Sequence, residues 1–140
     1  YGPQAAMLTS ALGTIGVAAF EVTSEDDLVF ELVRKNMYIL TANIGGLLTR
    51  STVQDLWYNN RSLAEDVAGD FLEIQKWLVG KDLERGPIVA GMVEAFDGDP
   101  DHGATGRSAP ARLARAIDHA DQAGLAVPTL RKILSQLDAG

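Results

Sequence analysis

SEDDLVFELVRKNMYILTANIGGLL, residues 24–48, is the stretch on which the architecture turns. Ser24 followed by Glu25-Asp26-Asp27 is close to a capping box, and acidic residues in a first turn favour the positive end of a helix. Behind it, Leu28, Leu32, Val33, Asn36, Ile39, Leu40, Asn43, Ile44 and Leu47 follow a 3.6-residue spacing. The spacing predicts a helix from about Glu25 to Leu48. Its apolar arc exceeds half the wheel, so it is expected to be the central helix. Gly45-Gly46 would weaken its end or admit a close neighbour.

Downstream, the pattern stays helical. Ser51–Tyr58 reads as a short helix ending at Asn59-Asn60, and Ser62-Leu63-Ala64-Glu65 reads as a capping box. Leu63, Val67, Phe71, Ile74 and Leu78 then run to a terminal Gly80. Pro87 opens a helix with Ile88, Val89, Met92, Val93 and Phe96 on its apolar face. Asp97–Arg107, dense in Gly and Pro, is expected to be a loop. Two more helices start at Ser108 and at Val127-Pro128-Thr129, the first stopping at Gly124.

Upstream, Gln4–Leu12 reads as a short helix, and Val17–Val22 as a single extended strand. The reading is an all-α bundle of about six helices with one short N-terminal edge strand. One domain covers 1–140, with 1–23 as its connector and strand. Tyr1, followed by Gly2-Pro3, suggests a piece of a longer or processed polypeptide.

Composition bounds the function. Twelve Lys and Arg stand against 19 Asp and Glu, a formal charge of −7 with a pI near 4.7, which argues against nucleic acid as a partner. Without Cys there is no disulfide framework, thiolate nucleophile or Cys-based zinc site. The most apolar run, Met37–Leu48, carries Asn43 and is well short of the roughly 20 residues of a membrane span. With no signal peptide visible, a soluble, cytoplasmic protein is expected.

Asp97-Gly98-Asp99-Pro100-Asp101-His102-Gly103 begins like a calcium loop, with carboxylates at alternate positions. Its sixth and twelfth places hold His102 and Ser108, where calcium needs a turn-forming glycine and a bidentate acid, so a solvated acidic loop is expected and no metal site. His102 and His119 lack a nucleophile at a motif spacing and read as surface residues. Arg107, Arg112 and Arg115 cluster at the start of one helix, either as a phosphate holder or as a solvated face. Asn36 and Asn43 share one stripe of the central helix and suit either structural pairing or a polar floor under a cleft. Lys35, at the arc's edge, reads by pattern as a surface lysine.

Leu12–Leu48 resembles the start of the C-terminal domain of ketopantoate reductases (2-dehydropantoate 2-reductases), a 6-phosphogluconate-dehydrogenase-like helical domain. That family shows a short strand, an acidic helix start and a helix reading K-x3-N-x3-N-x3-A-L. Here Lys35, Ile39 and Asn43 stand in the first three places. Gly106-Arg107 before a helix, and Gly124 to Pro128, resemble the family's G-R-x-T-E stretch and its closing G-x-x-x-P segment. The resemblance implies a substrate-binding and dimerisation domain of an NADPH-dependent oxidoreductase. NADP would be held by an N-terminal Rossmann domain, whose sheet the strand Val17–Val22 would join. It also implies Lys35 as the catalytic general acid toward a small keto substrate, Asn43 and Asp101 as substrate-binding residues, and a homodimer. The chain departs from the family at Ile39, at Asp97 and at Ala109-Pro110, so a keto or imine substrate other than ketopantoate, or an inactive relative, is implied. The fragment alone is expected to have no activity. The alternative reading is a non-enzymatic helical interaction module.

Overall fold

The computed structural model describes residues 1–139, which contain seven α-helices and no strand. In chain order they are α1 (Ala5–Thr14), α2 (Glu25–Thr49), α3 (Val53–Asn59), α4 (Arg61–Val79), α5 (Arg85–Gly98), α6 (Ala109–Ala123) and α7 (Pro128–Asp138). The all-α class follows directly. Packing divides the chain into two compact units, Tyr1–Val33 and the residues from Arg34 onward.

In the first unit, no residue of α1 is buried. Gly16, at φ +76°, lets the Val17 N–H turn back to the Leu12 carbonyl at 3.0 Å. The expected edge strand Val17–Val22 is not formed: its backbone has no ladder partner among the described residues, and an extended segment without one gains no hydrogen bonds from strand geometry. The start of α2 is as its sequence predicts. Ser24 Oγ accepts the Asp27 N–H at 3.0 Å, with Glu25, Asp26 and Asp27 in the first turn.

The second unit holds the core. Met37, Ile44, Leu56, Trp57, Phe71, Ile74, Ile88, Met92, Phe96, Leu113, Leu130 and Ile133 are its largest buried side chains. α4 packs against α3, α6 and α7, while α3 meets α5 and α6 meets α7. From Arg34 on, α2 touches α3, α4 and α5, while α4 meets the most other helices. Asn36 reaches α4, Tyr38 stacks 5.3 Å from Phe96 of α5, and Gly45 faces Leu56 of α3.

The buried stripe of α2 differs from the one apolarity suggests. It runs through Met37, Thr41, Ile44 and Gly45, whereas Asn36 is exposed and Asn43 only half-buried. Backbone approach explains the shift. A methyl group on Gly45 would lie 2.8 Å from Leu56 Cδ1, and one on Gly46 2.5 Å from the Ala104 carbonyl, so the tightest face is the one with the smallest side chains. Thr41 is fully buried there, and its hydroxyl has no hydrogen-bond partner among the described residues.

The capping box expected at Ser62 is not used. α4 begins two residues earlier than that box implies, at Arg61 with Asn60 as its N-cap, and Glu65 instead ion-pairs with Arg61 Nε at 2.8 Å. Arg61 in turn lies over the Trp57 ring, 4.0 Å from its centre, which holds it where a helix can start. At the other ends the glycine signals are realised: Gly80 and Gly124 take left-handed conformations at φ +64° and +66° and close α4 and α6. Among the described residues no helix is long and apolar enough to cross a membrane.

Candidate functional site

α6 shows how a sequence pattern becomes a site. Ala109, Leu113, Ala116, Ile117 and Ala120 form its buried face, which fixes the helix on the core. That anchoring turns Arg112, Arg115 and His119, spaced i, i+3 and i+7, toward one cleft. α4 contributes Phe71, Ile74, Gln75 and Leu78 at helical spacing, and α2 contributes Asn36 and Leu40. The cleft has a volume of about 450 Å³.

Its polar geometry is specific. Asn36 Nδ2 donates to Gln75 Oε1 at 3.3 Å, joining α2 to α4 across the floor. Gln75 is only 3% exposed, so that bond helps satisfy an amide in the core. Arg112 Nε donates to Ser108 Oγ at 3.0 Å, which orients its guanidinium at the mouth. The His119 ring lies 6.1 Å from that of Trp77. Among the described residues no Asp or Glu lines the cleft, although the chain as a whole carries −7.

Asn43 lies on the same stripe of α2 as Asn36 and Leu40, one to two turns further on. It meets the segment leading into α6: a methyl group on Gly106 would stand 3.6 Å from Asn43 Oδ1. Lys35 is exposed and outside the cleft. Eight residues of helix separate Lys35 from Asn43, about 12 Å along the axis and about 80° around it. Asp101 is exposed in the loop after α5. That loop is held by backbone bonds to the start of α3, Val53 N–H to the His102 carbonyl at 2.9 Å and Ala104 N–H to the Ser51 carbonyl at 2.9 Å. Lys35, Asn43 and Asp101 therefore sit at three separate points, none of them lining the cleft.

Of the expected loop Asp97–Arg107, Asp97 and Gly98 instead close α5, and Asp97 and Asp99 have partners. Asp97 Oδ1 accepts the Tyr58 hydroxyl at 2.9 Å, which raises the Tyr58 pKa above its ordinary value, and Asp99 lies 3.3 Å from His102 Nδ1. Among the described residues no three His, Asp or Glu converge as metal ligands. Of the basic cluster, Arg112 and Arg115 line the cleft, while Arg107 is exposed and does not.

The chain matches no protein-family model, no curated protein and no solved structure.

Gln75 and His119 were not legible as site residues from patterns of chemistry. A signal for Gln75 exists: it interrupts the apolar stripe of Phe71, Ile74 and Leu78 with an amide, and a buried amide must be paired. His119 carries no such mark, because only the seating of α6 turns it toward the cleft.

Proposed function

We propose that this chain is the substrate-binding helical domain of a ketopantoate-reductase-like, NADPH-dependent oxidoreductase. What supports the reading is one contact. Asn43, in the helix that carries the family-like lysine and asparagine, lies against Gly106 in the family-like Gly106-Arg107 stretch. Two segments far apart in sequence, each resembling a short motif of the same family, meet in space.

On this reading Lys35 is the general acid, delivering a proton from its ammonium to the keto oxygen of a small acid while its charge steadies the developing alkoxide. Its exposure suits a group that meets substrate at a surface. The resemblance assigns Asn43 and Asp101 to substrate binding, although in this domain they stand apart from Lys35 and outside the cleft. The 140 residues contain no G-x-G-x-x-G turn, so the nicotinamide cofactor is not theirs to bind. A Rossmann domain elsewhere on the natural polypeptide would hold it.

The test is made on the full-length natural protein. NADPH-dependent reduction of a panel of 2-keto acids is measured, and Lys35→Ala is expected to slow it by about 10²–10⁴-fold. An unchanged rate would remove Lys35 from the chemistry.

A second reading, a non-enzymatic interaction module or homodimer, is favoured by the first unit alone, where Met7, Leu8, Ile15 and Phe20 are all more than half exposed. Light scattering at micromolar concentration tests it; a strict monomer counts against it.

A further inference from the structure

Arg112 and Arg115 approach each other on one face of α6, and among the described residues neither pairs with a carboxylate. Arg50, Arg85 and Arg107 likewise show no carboxylate partner among the described residues; what distinguishes Arg112 and Arg115 is that both line one cleft. Two guanidiniums held on neighbouring turns repel, and an oxyanion between them relieves that repulsion through charge-assisted hydrogen bonds. The rest of the lining indicates what else the ligand carries. Leu40, Leu78 and Ala111 offer apolar surface there, with Phe71 and Ile74 buried beneath, and Asn36 and Gln75 set a paired amide beside them.

We infer that the cleft between α2, α4 and α6 binds a small organic anion with an apolar body. Its phosphate or carboxylate head rests on Arg112 and Arg115, and its body lies over Leu40, Leu78 and Ala111. A volume of about 450 Å³ lies within the range of small-molecule sites, and polar groups converging beside apolar surface is how such sites fix orientation. The apolar surface also disfavours a bare hydrated ion, for which desolvation against Leu40 and Leu78 returns nothing. This site is separate from Lys35 and does not require the oxidoreductase reading.

The experiment titrates the 140-residue chain with phenyl phosphate, benzoate and neutral benzyl alcohol. Calorimetry gives the stoichiometry. Fluorescence reports the site, because Trp77 borders it through His119 whereas Trp57 is buried under Arg61. Saturable one-to-one binding of phenyl phosphate or benzoate is expected, with a response from Trp77, and whichever binds tighter identifies the head group. Arg112→Gln and Arg115→Gln are each expected to weaken it by about ten- to a hundred-fold. Lys132→Gln, the same charge change on α7, should leave it unaltered. The inference is overturned if neither anion binds, if benzyl alcohol binds as well as the anions, or if the arginine variants bind like the wild type. Because no cofactor enters the assay, a failure here leaves the reductase reading standing, and a failure of that reading leaves this one.

Discussion

The Asp70 carboxylate on α4 accepts the backbone N–H of Thr129, at 2.8 Å, and through the same oxygen that of Leu130, at 3.0 Å. α7 is thus capped by a residue of another helix. Its own Ncap position, Val127, sits at φ +37° and offers no side-chain oxygen. Arg131 secures the turn from the other side, donating to the Ala126 carbonyl at 2.9 Å and pairing with Asp121. Asp70→Ala is expected to cost about 1–2 kcal/mol, as the loss of a cap does, read from urea unfolding. Asp70→Asn keeps an acceptor and should cost less; equal losses for the two would refute the capping role.

Asp70 also gives a pH dependence. Burial pushes its carboxyl above the ordinary 3.8, against the two N–H bonds that pull it down. A raised folded-state pKa means the native state binds the proton more tightly than the unfolded chain. The group's contribution is therefore greatest below the ordinary value and declines as pH rises through the folded-state pKa. Relative to wild type, Asp70→Asn should gain stability with rising pH across that window and then level off. A relative stability that falls instead would reverse the assigned direction.

Gly46 and Gly45 respond differently to alanine. At Gly46 the added methyl meets backbone, 2.5 Å from the Ala104 carbonyl and 2.8 Å from Thr105 N, and backbone there cannot give without disturbing the link to α3. Gly46→Ala should cost about 1–3 kcal/mol despite a better helix propensity. At Gly45 the obstacle is the tip of the Leu56 side chain, which can rotate, so the same change should cost less. Thermal melts of the pair check the order.

Thr41→Val replaces a buried hydroxyl that has no partner among the described residues with a methyl group of like shape. Removing an unsatisfied polar group should stabilise the protein by about 1 kcal/mol. A destabilised variant would mean the hydroxyl is paired in solution.

Millimolar calcium should leave the melting temperature unchanged, since Asp97 is held by Tyr58, Asp99 lies beside His102, and stabilisation requires occupancy of the native state. A rise of several degrees that magnesium does not reproduce would establish a site in the loop.

Asn43→Ala and Lys35→Ala should separate folding from chemistry. Lys35 is exposed, so its loss should leave stability unchanged. Asn43 is half-buried against Gly106, and its truncation should cost about 1 kcal/mol while weakening substrate binding in the full-length protein. Urea unfolding of both variants checks the first contrast, and KM the second.

Helix spans, the Ser24 cap, the left-handed ends at Gly80 and Gly124 and the all-α class were legible in the chain because each depends on groups within about four residues of one another. Periodicity alone misjudged the face of α2. It weights apolar side chains, and the deciding contacts are made by Gly45 and Gly46, which have none. Likewise Ser62 carries a valid local motif that lost to Arg61 lying over Trp57, and the Val17–Val22 stretch has strand residues but no second strand among the described residues. Tertiary packing alone decided that Asp70 caps α7, that Asn43 meets Gly106, and that Asn36, Gln75, Arg112 and Arg115 share one cleft. Those pairings join residues distant along the chain, and only burial of the α4 and α6 faces against a common core sets the rotation of each helix that brings them together.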